Sequence, residues 1–219
     1  MHVKSVSCLH IYIATSNPGK LRDFQGAAAN LGIEVQALPG FQTLPPAVED
    51  GTTFEENARI KAEHYSRLTP GTLVVADDSG LAVDALNGAP GVYSARYAAV
   101  VQGGTESHSN SDDAQNNQTL IAKLELLPAE KRSVKFVCVI AVAKDGATLR
   151  TFRDEVRGDL LTAARGSHGF GYDPLFYFPQ LGKTFAEIPS EEKALYSHRG
   201  KAFRKFLEWH RQSMAERTS

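Results

Sequence analysis

A short apolar run that stops at two adjacent carboxylates is the feature that most limits how this chain can fold. Residues 74–81 read Val-Val-Ala-Asp-Asp-Ser-Gly-Leu. A β-branched run of this length is typical of a buried strand, and it predicts a strand over Thr72–Ala76. In open α/β sheets, ligands bind just beyond the carboxyl ends of such strands, so we expect Asp77 and Asp78 at a functional site. The alternative is a helix N-cap, because Asp and Ser also cap helices.

Two neighbouring carboxylates also need compensation. Each raises the pKa of the other unless a cation or hydrogen bonds offset the repulsion. A divalent metal ion or a lysine is the usual compensator, so the pair Asp77 and Asp78 predicts one of these beside the strand.

A strand followed by a helix start is predicted near the N-terminus. Residues 10–14 (His-Ile-Tyr-Ile-Ala) predict a strand, and residues 15–20 (Thr-Ser-Asn-Pro-Gly-Lys) lead into a helix over Leu21–Leu31. Asn17 or Ser16 is the candidate N-cap, and Pro18 suits the first turn because its missing N–H is not needed there. Lys20 is unexpected at the positive end of a helix dipole unless an anion binds beside it. The segment lacks the spacing of a P-loop.

Helices and strands alternate along the rest of the chain, which indicates an α/β fold. The predicted helices are one that runs from a Thr53–Glu56 capping box to Leu68, then Asp112–Leu127, Ser190–Tyr196 and Ser197–Arg211. A hairpin is predicted from Phe136–Ala143 and Thr148–Glu155, because the Asp-Gly pair between them favours a type I′ turn. The hairpin makes the predicted sheet mixed. An apolar stripe on the last helix is predicted to be core.

Composition excludes several classes of function. The 24 basic side chains nearly balance the 25 acidic ones, so no general attraction to nucleic acid is expected. No apolar run is long enough to span a membrane, and Met1–Ser7 lacks the apolar core of a signal peptide. Cys8 and Cys138 are far apart in the chain, which favours unpaired thiols in a reducing cytoplasm.

Two further segments carry candidate binding groups. Residues 166–174 (Gly-Ser-His-Gly-Phe-Gly-Tyr-Asp-Pro) form a glycine-spaced loop in which Phe170 or Tyr172 could stack on a planar base. A simple turn with two anchoring aromatic rings is the alternative. Lys193, His198 and Arg199 cluster near a predicted helix start, where cations are unfavourable without an anion or another acceptor.

Taken together, these segments resemble the inosine triphosphate pyrophosphatase, or Ham1-like, family. The resemblance runs from about Ile11 to Phe206. Six motifs occur in the family's order: residues 15–20, 54–58 with Lys61, 76–81, 88–97, 169–174 and 197–200. The resemblance implies one domain over residues 1–219, with an elongated mixed sheet, flanking helices and a cleft between two lobes. It also implies a homodimer, and residues 1–9 form an N-terminal extension outside it.

The resemblance further implies hydrolysis of deaminated purine nucleoside triphosphates (ITP, dITP and XTP) between the α- and β-phosphates. A Mg²⁺ ion, which Mn²⁺ could replace, would be held by Glu49 and Asp78, and Asp78 would also be the general base. Lys20 and Lys61 would hold the triphosphate. The implied supporting residues on the phosphates are Thr15, Ser16, Asn17, Pro18, Gly19 with the amides around it, and Ser79. At the metal site, Asp77 would tune or orient the neighbouring Asp78, and Glu56 would support the metal ligands from behind.

At the nucleobase, the resemblance implies an aromatic surface that stacks on the purine and a set of donors that recognise its 6-position. Phe170 would stack on the purine, with Gly171, Tyr172 and Asp173 completing that wall. The donors Lys193, His198 and Arg199 would favour a 6-oxo acceptor over the 6-amino group of adenine.

Two alternatives remain at this stage. One is a Maf-type pyrophosphatase that acts on other modified or pyrimidine nucleotides, although the aromatic loop and the Ser-His-Arg motif argue against it. The other is a catalytically silent nucleotide sensor, which would be expected to have lost a metal carboxylate or a phosphate-binding lysine. Metal-dependent turnover separates sensor from enzyme, and base preference separates the two enzymes.

Overall fold

A seven-stranded mixed sheet with helices on both faces forms the framework of the molecule. The computed structural model describes residues 9–29, 31–103, 110–125, 128 and 131–216. The strands, in the order β2-β1-β3-β4-β5-β6-β7 across the sheet, are β1 (Leu9–Ile13), β2 (Ile33–Ala37), β3 (Val74–Val83), β4 (Ser133–Lys144), β5 (Ala147–Leu160), β6 (Phe176–Phe178) and β7 (Lys183–Thr184). The helices are α1 (Pro18–Ala28), α2 (Phe54–Leu68), α3 (Tyr97–Gly103), α4 (Asp113–Leu124), α5 (Ser190–Tyr196) and α6 (His198–Glu216).

Two kinds of strand pairing meet at β3. The strands β1, β2 and β3 run parallel, whereas β3 to β7 pair antiparallel. The tight turn between β4 and β5 has positive φ at Asp145 (52°) and Gly146 (83°), as a type I′ turn requires. The predicted hairpin and the predicted mixed α/β sheet are therefore confirmed.

The length of β3 differs from the sequence prediction. We predicted a strand that ends at Ala76, but β3 continues to Val83 and contains both Asp77 and Asp78. Its partner β4 pairs with it over its whole length, from Val74 opposite Ala143 to Val83 opposite Val134. That long-range pairing keeps the backbone extended through the carboxylates, and it rules out the helix N-cap alternative.

Several helix boundaries follow their local signals, and others do not. The capping box of Thr53 and Glu56 starts α2 as predicted. Asn17 caps α1, but that helix ends at Ala28 instead of the predicted Leu31. Helix α4 starts after the cap Asp112 and ends at Leu124, while residues 126–127 of its predicted end lie outside the described residues.

Three apolar clusters fix the helices to the sheet. Helices α1 and α6 pack on one face, where the predicted stripe of α6 supplies Ala202, Phe203 and Phe206 to the core. Helix α2 packs on the opposite face. The third cluster lies toward β6 and β7 and is rich in phenylalanine. Burying one such ring stabilises the fold by about 2 kcal/mol.

Some predictions of organisation are not tested by these contacts. The division of one domain into two lobes stays a prediction. The nine-residue N-terminal extension lies outside the described residues except for Leu9, which begins β1. Among the described helices, none is both long and apolar enough to cross a membrane.

Candidate active site

A cleft of about 690 Å³ opens where β1 stops and β3 continues. Strand β1 accompanies β3 only at Val74 and Val75, so the next residues of β3 border the cleft beside the loop that follows Ile13. All the predicted site residues line this cleft except Pro18, Gly19 and the supporting Glu56. The predicted location, beyond the carboxyl end of a parallel strand, thus holds for β1, although not for β3.

Asp77 and Asp78 avoid each other because successive side chains of a strand point to opposite faces of the sheet. On the face of α1 and α6, Asp77 pairs with Lys20 at 3.1 Å and with Arg199 at 3.5 Å. On the face of α2, Asp78 pairs with Lys61 at 3.4 Å. Each carboxylate therefore has its own lysine. The anion that Lys20 needs at the helix start is supplied by this chain itself.

These surroundings shift the pKa values of the two carboxyl groups in opposite directions. Burial alone would raise the pKa of Asp77, but the charges of Lys20, Arg199 and Lys61 outweigh it and hold that pKa well below its usual value. Burial raises the pKa of Asp78, although Lys61 opposes the change. Asp77 is thus a permanent negative charge, and Asp78 is the better proton acceptor of the two.

Glu49, Lys61, Asp77 and Asp78 define what we call the carboxylate end of the cleft. Lys61 is only 9% exposed, and its Nζ lies 2.7 Å from Glu49 and 3.4 Å from Asp78. Burial would lower the pKa of Lys61, but Asp78 and Glu49 raise it well above its usual value. The ammonium group is therefore a fixed cation between two carboxylates.

The position of this cation tests whether a metal ion fits. Oxygen ligands suit Mg²⁺ or Mn²⁺, and Mg²⁺ is usually bound by one or two protein carboxylates plus water and phosphate oxygens. Glu49 and Asp78 supply such a pair, already arranged around a positive charge. The described residues contain no group of three or more His, Cys, Asp or Glu placed to hold a metal. The donor set thus fits a divalent cation shared with phosphate.

Asn57, in the motif of residues 54–58, is a site residue to which the sequence assigns no role, and it bridges the carboxylate end. Its Oδ1 accepts from the Gly51 N–H at 2.9 Å, and its Nδ2 donates to Asp78 at 3.3 Å. It thereby ties the segment that carries Glu49 to β3. The neighbouring Glu56, predicted to support the metal, instead accepts from the backbone of Thr52 and Thr53 as part of the helix cap.

The loop before α1 is already hydrogen-bonded internally. The amides of Gly19 and Lys20 both donate to the side chain of Asn17, at 2.8 and 3.1 Å. These amides, expected to contact phosphate, are therefore occupied in this conformation. Gly19 lies beneath the ring of Phe170, where any side chain would collide with that ring. Pro18 lines a neighbouring cavity instead.

Phe170, Lys193, His198 and Arg199 define the aromatic end of the cleft. The charged ends of Lys193 and Arg199 lie 5.3 and 5.4 Å from the centre of the Phe170 ring. Both are almost fully buried, and both form ion pairs with Asp23. Lys193 also pairs with Asp173, and the Arg199 guanidinium also donates to Ser79 at 2.7 Å. Most donors that we expected to face the base are thus engaged by the chain itself.

Asp23 is a residue that the sequence reading missed. It is 5% exposed and lies on the buried face of α1 with Gly19 and Phe24. That helical spacing was the available signal, since an acid on a buried face needs a cationic partner. Its partners come from α5 and α6, roughly 170 residues later in the chain.

His198 is the predicted base-edge residue with a free polar atom. Its ring stacks on Phe136, with centres 4.7 Å apart, and its buried Nδ1 has no partner among the described residues. Burial, followed by the charges of Arg199 and Lys193, holds its pKa well below the usual value. The imidazole is therefore neutral at neutral pH.

Comparison with known proteins agrees with this geometry. The profile of the Ham1 family matches residues 11–209. A protein named dITP/XTP pyrophosphatase from Acidobacterium capsulatum is 48% identical over 91% of this chain and 97% of its own length. One of the same name from Exiguobacterium sibiricum is 43% identical over 90% and 94%.

Solved structures lead to the same assignment. A Ham1 protein from Coxiella burnetii superposes with a TM-score of 0.76 at 38% identity, over 93% of this chain and 99% of that one. The Staphylococcus aureus Ham1 protein gives 0.75 at 37%, with the same coverage. With its sequence matched by the family profile over most of its length and its sheet shared with solved members, this chain belongs to the Ham1 family.

Proposed function

We propose that this protein hydrolyses ITP, dITP and XTP between the α- and β-phosphates, releasing a nucleoside monophosphate and pyrophosphate. The observation that carries the proposal is one cleft with a cation between two carboxylates at one end and a stacked aromatic wall at the other. The names of the curated relatives, dITP/XTP pyrophosphatase, support dITP and XTP among these substrates.

The carboxylate end supplies the groups that phosphoryl chemistry needs. In this proposal Lys20 and Lys61 hold the negative phosphates, and Glu49 and Asp78 hold a Mg²⁺ ion. When bound, that ion would neutralise phosphate charge and make a bound water easier to deprotonate. Mn²⁺ accepts similar oxygen ligands and could replace it.

Asp78 is the proposed general base. Its raised pKa makes it the better proton acceptor of the neighbouring pair, while Asp77 stays charged and holds Lys20. Removing a proton from the attacking water in this way contributes roughly 10²–10⁴-fold to a rate. Activity should therefore rise toward alkaline pH, and an optimum near pH 5 would contradict the mechanism.

The aromatic end is proposed to select the base. Phe170 would stack on the purine, and the neutral ring of His198 could donate an N–H to a 6-oxo group. Adenine would instead present its 6-amino donor to that N–H. A mismatch of this kind can reject an analogue by roughly 10⁴-fold. Because Arg199 is already engaged by Asp23 and Ser79, His198 is the proposed base reader, and an unchanged preference for ITP over ATP in His198→Ala would contradict that assignment.

The alternatives are less well supported. A Maf-type pyrophosphatase is not favoured, because the chain belongs to the Ham1 family. A silent sensor is not favoured either, because Glu49, Asp78, Lys20 and Lys61 all line the cleft.

We also propose a homodimer that works in the cytoplasm. The buried, unpaired thiol of Cys138 is compatible with a reducing compartment.

Product analysis tests the proposal. ITP, XTP, ATP and GTP are each incubated with the protein, with and without Mg²⁺, and pyrophosphate is distinguished from orthophosphate. We expect pyrophosphate and monophosphate from ITP and XTP only, and only with the metal. Orthophosphate release would assign the cut to another bond, and tight binding without turnover would favour the sensor.

A further inference from the structure

Helix α4 holds the aromatic loop (residues 166–174) at the edge of the cleft, which Asp113 itself lines. The carboxylate of Asp113 accepts from the Gly171 N–H at 2.7 Å, and Nδ2 of Asn117 donates to the Gly171 carbonyl at 3.0 Å. The two side chains are four residues apart, so they project from the same face of the helix. Together they bind both polar groups of one residue, as a neighbouring strand would.

Gly171 is the residue where the loop turns. Its φ is +60°, a value that favours glycine, and its neighbours Phe170 and Tyr172 both line the cleft. Within the loop, the Phe170 N–H donates to Asp173 at 3.0 Å, and the Asp173 N–H donates back to the Phe170 carbonyl at 3.3 Å. These internal hydrogen bonds maintain the conformation of the turn, whereas the hydrogen bonds from α4 fix its position relative to the rest of the molecule.

Helix α4 is itself firmly held. Its Asn116 is 2% exposed, accepts from the Ala98 N–H at 2.9 Å and donates to the Ala95 carbonyl at 3.2 Å. Leu120 and Leu124 are fully buried in the core. A grip by such a helix therefore restrains the loop relative to the rest of the molecule.

From this geometry we infer that Asp113 and Asn117 are positioning residues, which hold the Phe170 ring where a purine stacks and so set affinity for the base. The inference rests on the proposed function, because it assumes that a purine occupies the aromatic end. It assigns no part in phosphate binding to either residue, since both form their hydrogen bonds with Gly171, next to Phe170 at the aromatic end. Groups that hold a binding residue in place influence affinity although they do not touch the ligand.

The test compares two products that separate the ends of the cleft. Binding of IMP, which carries a base, and of pyrophosphate, which does not, is measured by calorimetry with Mg²⁺ present. We expect Asp113→Ala and Asn117→Leu each to weaken IMP binding by about 10-fold, the loss typical of one hydrogen bond, and to leave pyrophosphate binding unchanged. The KM for ITP should rise by a similar factor, with kcat changed much less.

Asp112→Ala is the matched control. Asp112 caps the same helix through the Ala114 N–H at 3.3 Å, and within the described part of the chain it forms no hydrogen bond with the aromatic loop. It should lower the stability of α4, seen in urea unfolding, without changing IMP binding. Asp113→Asn should restore part of the IMP affinity, because its amide oxygen can still accept from Gly171.

Three results would overturn the inference. These are unchanged IMP binding in both variants, equal loss of IMP and pyrophosphate binding, or equal loss of IMP binding in the Asp112 control. Failure of the proposed function would look different, because the unmodified protein would then either bind no IMP or bind ITP without releasing pyrophosphate.

Discussion

The two ends of the cleft differ in whether a ligand can reach their charged side chains. At the carboxylate end, Lys61 lies between Glu49 and Asp78, and this cluster borders the open cleft. Its charges can be rearranged around an incoming phosphate or metal ion. At the aromatic end, the cations Lys193 and Arg199 are almost fully buried and already paired.

This contrast indicates that the two ends have different functions, phosphate chemistry at the carboxylate end and base selection at the aromatic end. Exchangeable charges suit chemistry on a polyanion, because a ligand can take the place of the existing ion pairs. At the aromatic end, Lys193 and Arg199 are instead neutralised by Asp23 and stabilise the packing around Phe170. Stacking on that ring and the neutral His198 then remain to bind and select the base. Substitutions at the two ends should therefore have separable effects.

Asp78→Asn should nearly abolish turnover. It removes the proposed base and one metal ligand, so the rate of pyrophosphate release from ITP should fall by roughly 10²–10⁴-fold. Asp84→Asn is the control, because Asp84 follows β3 but its carboxylate is about half exposed and pairs with Arg157. A variant that keeps more than a tenth of the rate would contradict the role of Asp78.

Asp23→Ala should act on stability through the aromatic end. It leaves Lys193 and Arg199 buried with one carboxylate fewer, and breaking a buried pair in this way costs about 3–5 kcal/mol. Urea unfolding measures the loss. Glu34→Ala, which removes an exposed partner of His10, should change the free energy of unfolding by less than about 1 kcal/mol. Equal effects would mean that the buried cluster contributes little.

Asn57→Ala should weaken metal binding without destroying the site. Residues that hold metal ligands in place typically change metal affinity or activity by about 10–100-fold when they are replaced. The Mg²⁺ concentration that gives half-maximal turnover should therefore rise, while the preference for ITP over ATP stays the same. Arg59→Ala, at an exposed position of the same helix, should leave the Mg²⁺ dependence unchanged.

His198 should make stability depend on pH. Because its folded-state pKa is lowered, the unfolded chain gains a proton below about pH 6.5 that the folded chain does not. The free energy of unfolding should then fall by up to about 1.4 kcal/mol for each pH unit below that value. Urea unfolding of His198→Gln at pH 8 and pH 5.5 should show a smaller fall than the unmodified protein. An equal fall in both proteins would count against a buried, neutral imidazole.

Features that rest on local chemistry could be predicted from the sequence. The Asp-Gly turn and the capping box of Thr53 and Glu56 depend on residues a few positions apart, and both predictions are confirmed. The length of β3 could not be predicted, because it depends on pairing with β4 about 60 residues later. The same is true of Asp23, whose partners come from distant helices.

The candidate site shows the same difference between local features and features that depend on distant parts of the chain. The motifs indicated which residues line the cleft, but not which of them already bind one another. Lys193 and Arg199 were interpreted as free donors, since their sequence neighbours contain no sign of Asp23 or Asp173. Only the packing of α1 against α5 and α6 brings those charges together.

The most direct test of whether the two ends of the cleft act separately is the ratio of kcat/KM for ITP to kcat/KM for ATP. It is measured in two variants, each with one substitution at one end. Lys61→Gln should lower both values together and leave the ratio unchanged, because it affects only phosphate and metal. His198→Ala should lower the ratio by about 10-fold, because it removes the N–H proposed to favour a 6-oxo group over a 6-amino group. If Lys61→Gln altered the ratio as strongly as His198→Ala, the proposal that the two ends have separate functions would be wrong.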